Sequence, residues 1–138
     1  MIIKQLSVFV ENKAGRVAAI IEGLGKCGVD ISALSLADTT DFGIMRLIVD
    51  DPQKAMKALR DQGVIFKMTD VITVSMEDHP GGLAAVLAVL NEAEMAINYM
   101  YAFIGRQEGK AMMVFSVDQP EEAEMLLSEK GFITKIDS

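Results

Sequence analysis

Val8-Phe9-Val10-Glu11-Asn12-Lys13-Ala14-Gly15-Arg16-Val17-Ala18-Ala19 recurs 66 residues later as Val74-Ser75-Met76-Glu77-Asp78-His79-Pro80-Gly81-Gly82-Leu83-Ala84-Ala85. The apolar positions Val17, Ile20, Ile21 and Leu24 fall on Leu83, Val86, Leu87 and Leu90. A two-residue insertion then moves the offset to 68, where Val49-Asp50-Asp51-Pro52 meets Val117-Asp118-Gln119-Pro120 and Gly63 meets Gly131. A repeat this long requires each copy to be one complete supersecondary unit. The 138 residues therefore divide into expected domains 1–70 and 71–138. A unit of that size buries only about 60% of its unfolded surface, so the copies are expected to pack on each other or on a second chain. Asp70 runs into Val71 with no Gly/Ser/Pro stretch, which predicts a fixed orientation rather than a tether.

Within one copy, Leu6, Val8 and Val10 alternate with Gln5, Ser7 and Phe9, the pattern of a largely buried strand. Asn12 is placed at the N-cap of a helix whose stripe of Val17, Ile20, Ile21, Leu24 and Cys27 has helical spacing. Gly28 stops that helix. Strands are expected over Ile31–Ala37 and Ile44–Val49, joined by the turn Asp38-Thr39-Thr40-Asp41. Pro52 opens a second helix, where its missing N–H does no harm; Ala55, Met56 and Leu59 face inward, Gly63 ends it, and Val64–Met68 is the last strand. The second copy repeats the order as Val71–Met76, Pro80–Ala93, Ala96–Gly105, Lys110–Val117, Pro120–Lys130 and Phe132–Ile136. Right-handed crossovers in a β-α-β-β-α-β chain put both helices on one face of an antiparallel sheet. The fold class is α+β, with two ferredoxin-like units. The stretch Ala96–Ile104 is apolar on both faces, which predicts a homodimer formed through these sheets.

Composition narrows the function. Residues 1–70 carry nine acidic and nine basic side chains, whereas 71–138 carry eleven and four, so the second copy holds the whole net charge of −7. Glu121, Glu122, Glu124 and Glu129 read as the solvated face of a helix, with a basic partner protein as the other reading. A pI of 4.6 excludes nucleic acid as a partner, because phosphates demand Lys and Arg. The longest apolar run, Leu83–Leu90, is far too short for a membrane span. The first residues carry no signal-peptide pattern, and one cysteine cannot make an internal disulfide. A soluble cytoplasmic protein is expected.

Enzymatic constellations are nearly absent. His79 and Cys27 stand far apart in aligned position, and Cys27, on the apolar stripe opposite Ala93, reads as core filler. There is no Cys-x-x-Cys pair for a metal and no glycine-rich phosphate loop. An acylphosphatase-like reading would use Arg16 and Asn12, but Gly82 and Asp78 replace them in the second copy. A non-catalytic protein without cofactor or metal is expected. Both copies keep the first strand-to-helix loop, Glu11–Gly15 and Glu77–Gly81. Asn and Asp suit helix capping, but a glycine just inside a helix costs roughly 1 kcal/mol against alanine. It would let another atom approach the backbone, and a helix N-terminus suits a carboxylate. Capping and ligand binding both remain open on the residues alone.

The loop and the following Gly28-Val29-Asp30-Ile31-Ser32-Ala33 resemble those of the ACT domain, a regulatory amino-acid-binding module of this fold. The likeness is to the ACT domains of phosphoglycerate dehydrogenase and the acetolactate synthase small subunit. Asp78-His79-Pro80-Gly81 is closer to the common Asp-x-Pro-Gly form. The resemblance covers both halves and implies a tandem ACT protein. In that family the loop and turn hold the ligand's amino and carboxylate groups, and the start of the second strand, often from a neighbouring domain, completes the pocket. Carried over, the ligand-binding residues are Asn12, Lys13, Ala14, Gly15, Arg16 and Val17 with Asp30 and Ile31. In the second copy they are Asp78, His79, Pro80, Gly81, Gly82 and Leu83, with Asn98 standing in for Ala96 on the second strand. The resemblance implies a free amino acid as ligand and a regulated partner enzyme or transport system. The other function class is a ligand-free scaffold subunit of a metabolic enzyme.

Overall fold

The computed structural model describes residues 1–38, 41–105 and 108–132. Its elements are β1 (Ile2–Glu11), α1 (Arg16–Lys26), β2 (Ile31–Asp38), β3 (Phe42–Val49), α2 (Pro52–Asp61), β4 (Ile65–Glu77), α3 (Gly82–Glu92), β5 (Ile97–Ala102), β6 (Lys110–Val117) and α4 (Pro120–Glu129). Two compact units emerge. The first is Lys4–Thr69; the second joins Met1–Ile3 to the described residues from Asp70 onward. Each is a β-α-β-β-α-β-like unit of ferredoxin-like type, with antiparallel strands and both helices on one face.

In the first unit β3 pairs antiparallel with both β1 and β2, with Leu6 opposite Leu47 and Leu34 opposite Leu47 on the other side. Leu6, Val8 and Val10 of β1 and Met45, Leu47 and Val49 of β3 meet Ile20 and Leu24 of α1 and Ala55, Met56 and Leu59 of α2 in one core. The period of two in the strands and the i, i+4 step in the helix bring these side chains onto facing surfaces. The second unit repeats the arrangement, with β6 between β4 and β5. Val74 and Met76, Val86 and Leu90, Phe115, and Ala123 and Leu127 form its core. Ile2 joins that core, and the Met1 carbonyl accepts from the Thr73 N–H at 2.9 Å. The Met1 ammonium lies 2.9 Å from Glu124, which is only half-buried on α4, while Glu121, Glu122 and Glu129 are exposed.

Several sequence expectations need correction. Val64–Met68 and Val71–Met76 are one continuous strand, β4, because Thr69-Asp70 stays extended; no turn residue interrupts it. β5 stops at Ala102, short of Gly105. The expected strand Phe132–Ile136 lies outside the described residues beyond Phe132, as do Thr39 and Thr40 of the β2–β3 turn. Cys27 is exposed rather than core filler, because it is the C-cap of α1 and the buried stripe ends at Leu24. The chain leaves α1 through a Schellman motif, with Val29 N–H donating to the Leu24 carbonyl and Gly28 N–H to that of Gly25.

The helix starts differ most from expectation. α1 begins at Arg16, four residues after Asn12, and its N-cap is Gly15 at φ 84°, ψ −10°. α3 begins at Gly82 behind Gly81 at φ 91°, ψ −10°. Neither start has a side-chain cap, so Asn12 and Asp78 are not the caps that the sequence suggested. Arg16 N–H bonds the Lys13 carbonyl and Gly82 N–H that of His79, each closing a four-residue turn. The dihedrals of Gly15 and Gly81 are those of the third residue of a type II turn, where a left-handed backbone demands glycine and Pro80 suits the second place. Left-handed backbone accounts for these glycines without any ligand. Gly82 has another cause: a Cβ there would overlap the Glu77 carbonyl oxygen.

Two glycines in helices should therefore respond oppositely to the same substitution. Gly82→Ala forces the α3 start off the end of β4 and should destabilise by about 1–3 kcal/mol, as overpacking does. Gly25→Ala in α1 meets open space at an ordinary φ and should stabilise by roughly 0.5–1 kcal/mol. Thermal unfolding of the two variants checks the pair; equal midpoints would contradict the close approach at Gly82.

Candidate functional site

Each copy presents its strand-to-helix loop beside the tip of its own hairpin. Asn12 N–H donates to the Asp41 carbonyl at 3.2 Å, and Asp78 N–H to that of Gly109 at 3.0 Å. The first intrahelical bonds run from Ala19 N–H to the Gly15 carbonyl and from Ala85 N–H to that of Gly81. The second and third helical N–H groups, on Val17 and Ala18 and on Leu83 and Ala84, are those that a capping side chain would take. Neither helix start has such a side chain. α2 shows the contrast: Asp51 caps it by accepting from Lys54 N–H at 3.1 Å.

A glutamate flanks each loop, and each copy balances it differently. Glu11 takes Lys13 at 3.1 Å and Arg16 at 4.0 Å, both from its own loop. The Lys13 hydrogen bond and charge, helped by Arg16, hold the Glu11 carboxyl below the usual carboxylate range. Glu77 is bound by Lys110, the first residue of β6. That hydrogen bond and charge, with a smaller contribution from His79, lower its pKa too. The His79 ring nitrogen Nδ1 lies 2.9 Å from the Pro80 carbonyl.

Asp30, Ile31 and Asn98 lie elsewhere. Asp30 N–H donates to Asp50 Oδ1 at 2.9 Å and its carbonyl accepts from Asp50 N–H at 3.0 Å, just beyond the end of β3. Asn98 donates through Nδ2 to Asp118 Oδ1 at 3.0 Å in the second copy. The loop sits at the start of β3 and Asp30 at its end; eight residues of strand separate them by roughly 25 Å at the usual rise. One copy does not bring its loop and its second-strand start together. Asp50 and Asp118, which the sequence reading passed over, hold the strand starts in both copies. Their signal was the shared Val-Asp-x-Pro of the aligned repeat.

Two clefts lie near these ends. One of ≈ 190 Å³ opens in the first unit beside the loop, lined among others by Phe9, Glu11, Arg16, Phe42, Gln62 and Ile65. The other, ≈ 230 Å³, lies in the second unit at the start of β5, against Glu94, Ala96, Asp118 and Gln119. Glu94 there is left-handed at φ 56°, the one non-glycine residue of positive φ among the described residues. Among those residues no cluster of His, Cys, Asp or Glu could hold a metal ion, and no helix is long and apolar enough to cross a membrane.

A family model described as an ACT domain pair matches residues 1–137. The chain belongs to the ACT domain pair family. This ACT pair is similar to protein BT0572 from Bacteroides thetaiotaomicron, at 39% identity and TM-score 0.89, covering 97% of this chain and 93% of that one. It shares its fold with the regulatory subunit of aspartate kinase from Thermus thermophilus in ligand-free form, at 14% identity, TM-score 0.66 and 94% of each chain. The regulatory subunit of aspartate kinase from Thermus flavus aligns at 16% identity and TM-score 0.64, over 93% of this chain and 92% of that one. A search of curated proteins found no match.

The charge balance of the ACT pair is testable. Lys110→Gln removes the partner that lowers Glu77, so the Glu77 midpoint should rise toward its ordinary value while that of Glu11 stays low. A depressed folded-state pKa contributes stability above the unfolded value that is lost as pH falls through the folded value. The variant lacks that contribution, so it should be the less stable chain near neutral pH, and the gap between the two should close as pH falls through the Glu77 midpoint of the unsubstituted chain. Carboxyl-resolved NMR titration reads both midpoints; an unmoved Glu77 would rule out the Lys110 assignment.

Proposed function

We propose that this ACT pair, with domains 1–70 and 71–138, is a non-catalytic sensor that binds a free amino acid and passes the change in packing to a partner enzyme or transport system. The observation that supports the reading is the helix start kept in both copies. A glycine turn delivers two backbone N–H groups, without a capping side chain, at the positive end of a helix dipole. The ligand's carboxylate meets these groups around Gly15 or Gly81, with Asn12, Lys13, Ala14, Arg16 and Val17, or Asp78, His79, Pro80, Gly82 and Leu83, around it. Asp30 with Ile31, or Asn98, receives the ammonium. Since one copy keeps its loop and strand start at opposite ends, such a site takes its two halves from two ACT units. The aspartate kinase regulatory subunits that share this fold add a precedent for the regulatory role. Met100 and Ile104, both exposed large apolar residues, support a homodimer through the β5 side. The protein works in the cytoplasm.

A thermal-shift screen against the twenty amino acids tests the reading. A ligand at 100 times its Kd should add about 2.7 kcal/mol. Asp30→Ala should weaken that shift while leaving the ligand-free midpoint unchanged, because its bonds to Asp50 are made by the backbone. Asn98→Ala should weaken it as well, and lower the ligand-free midpoint slightly through loss of the Asp118 hydrogen bond. Sedimentation of the same protein at tens of micromolar, on the order of ordinary dimer affinities, should show a dimer. No shift with any amino acid would end the sensor reading and leave a ligand-free scaffold.

A further inference from the structure

The cleft beside the first loop lies wholly inside one unit, and besides Arg16 it contains Phe9, Glu11, Phe42 and Ile65, which neither helix capping nor the two-unit site uses. Three of its walls are apolar side chains that stand in solvent: Phe9 is 39% exposed, Phe42 51% and Ile65 72%. Burying such surface is the dominant favourable term in small-ligand binding. Arg16 and Glu11 stand in the same cleft, one charge of each sign. The helix ends repeat that polarity. Arg16 is the first residue of α1, at its positive end, while Gln62 and Gly63 follow the last residue of α2, at its negative end. At ≈ 190 Å³, the cleft holds about six times the volume share of a liquid water molecule, roughly 30 Å³. That is well under the about 300–1,000 Å³ of drug-sized sites and suits a molecule the size of one amino acid.

We propose that this cleft binds a free amino acid with a large apolar side chain. The carboxylate faces Arg16 and the start of α1, the ammonium faces Glu11 and the end of α2, and the side chain lies among Phe9, Phe42 and Ile65. The proposal rests on the amino-acid-binding reading, but it names the ligand class and places the site within a single unit. The repeat itself supplies a comparison. At the aligned positions the second copy has Ser75 for Phe9, Gly82 for Arg16, Lys110 for Phe42 and Lys130 for Gln62. Two rings and the arginine are gone, and Lys110 is taken up by Glu77. The site is therefore single per chain, in the neutral half of the sequence.

Isothermal titration of the full-length protein with L-leucine and L-phenylalanine tests this, with glycine and L-aspartate for comparison. Isocaproate and isoamylamine, which lack the ammonium and the carboxylate, separate the two polar contacts. Leucine or phenylalanine should bind at one site per chain and glycine, aspartate and both truncated analogues at least about tenfold more weakly. Arg16→Gln should weaken binding roughly 10–100-fold, the range for a hydrogen bond to a charged group. Phe42→Lys, which installs the second copy's residue at an exposed position, should weaken it by at least about tenfold with the unfolding midpoint unchanged. If leucine binds and Phe42→Lys and Ile65→Ser leave its Kd within about twofold, while Asp30→Ala or Asn98→Ala abolish binding, the cleft proposal fails and the two-unit sensor stands. Binding of only small or charged amino acids overturns the apolar class. If none of the four binds, the cleft proposal falls, while the two-unit sensor is decided separately by the screen of all twenty amino acids.

Discussion

The turn at Gly15, repeated at Gly81, sets the backbone that this protein exposes at the first helix start of each copy. A strand that ends at Glu11 and a helix that begins at Arg16 can be joined in so few residues only by reversing the chain sharply. The reversal places one residue in the left-handed region, where a Cβ is costly. Glycine meets that demand, and the geometry leaves the helix without room for a conventional Ser, Asp or Asn cap. The exposed N–H groups at the helix start follow from the turn. So does the position of the loop, which is tied through Asn12 and Asp78 to the neighbouring hairpin tip. Core packing tolerates the arrangement because Ile20 and Leu24, a turn or more further on, already bury the helix against β1 and β3.

The two copies use one backbone for different electrostatic ends. In the first, Arg16 follows the turn, and its guanidinium and Lys13 balance Glu11 locally. In the second, Gly82 follows the turn, because the helix start presses against the Glu77 carbonyl. The balancing cation comes instead from β6, as Lys110. Side chains that could line a cleft in the first copy are thus replaced by a closer backbone contact and an ion pair in the second. The excess acid of the second half lies chiefly on the exposed side of α4, where solvent screens it. It does not enter either cleft by way of Glu121, Glu122 or Glu129.

Much of the fold was legible because periodicity reports burial directly. The alternation in Leu6–Val10 and the stripe Ile20–Leu24 are local patterns, and the repeat checks each against a second instance. The unreadable parts depend on conformation rather than pattern. Asn12 and Asp78 have good capping chemistry, yet the helices begin four residues later. A type II turn and an N-cap can use the same Asn/Asp-x-x-Gly letters, and propensity does not separate them. Cys27 continues the helical spacing by count, but the helix has ended by then. Asp50 and Asp118 looked like ordinary residues before a helix; only the hydrogen bonds to Asp30 and Asn98 show that they hold the strand starts.

By itself the sequence determined the β-α-β-β-α-β order, its duplication and the core stripes, because each is carried by spacing along one chain, and the likeness of its loop motifs pointed to the family. Tertiary structure decided three other matters: why the loop glycines are there, which charged groups meet, and that each copy separates its loop from its second-strand start by the length of one strand, β3 in the first and β6 in the second. Those depend on dihedral angles and on distances between residues far apart in sequence. Phe9, Phe42 and Ile65 are scattered as letters, and they share one cleft only because strand pairing sets Glu11 opposite Phe42 and packing brings the end of α2 to the start of α1.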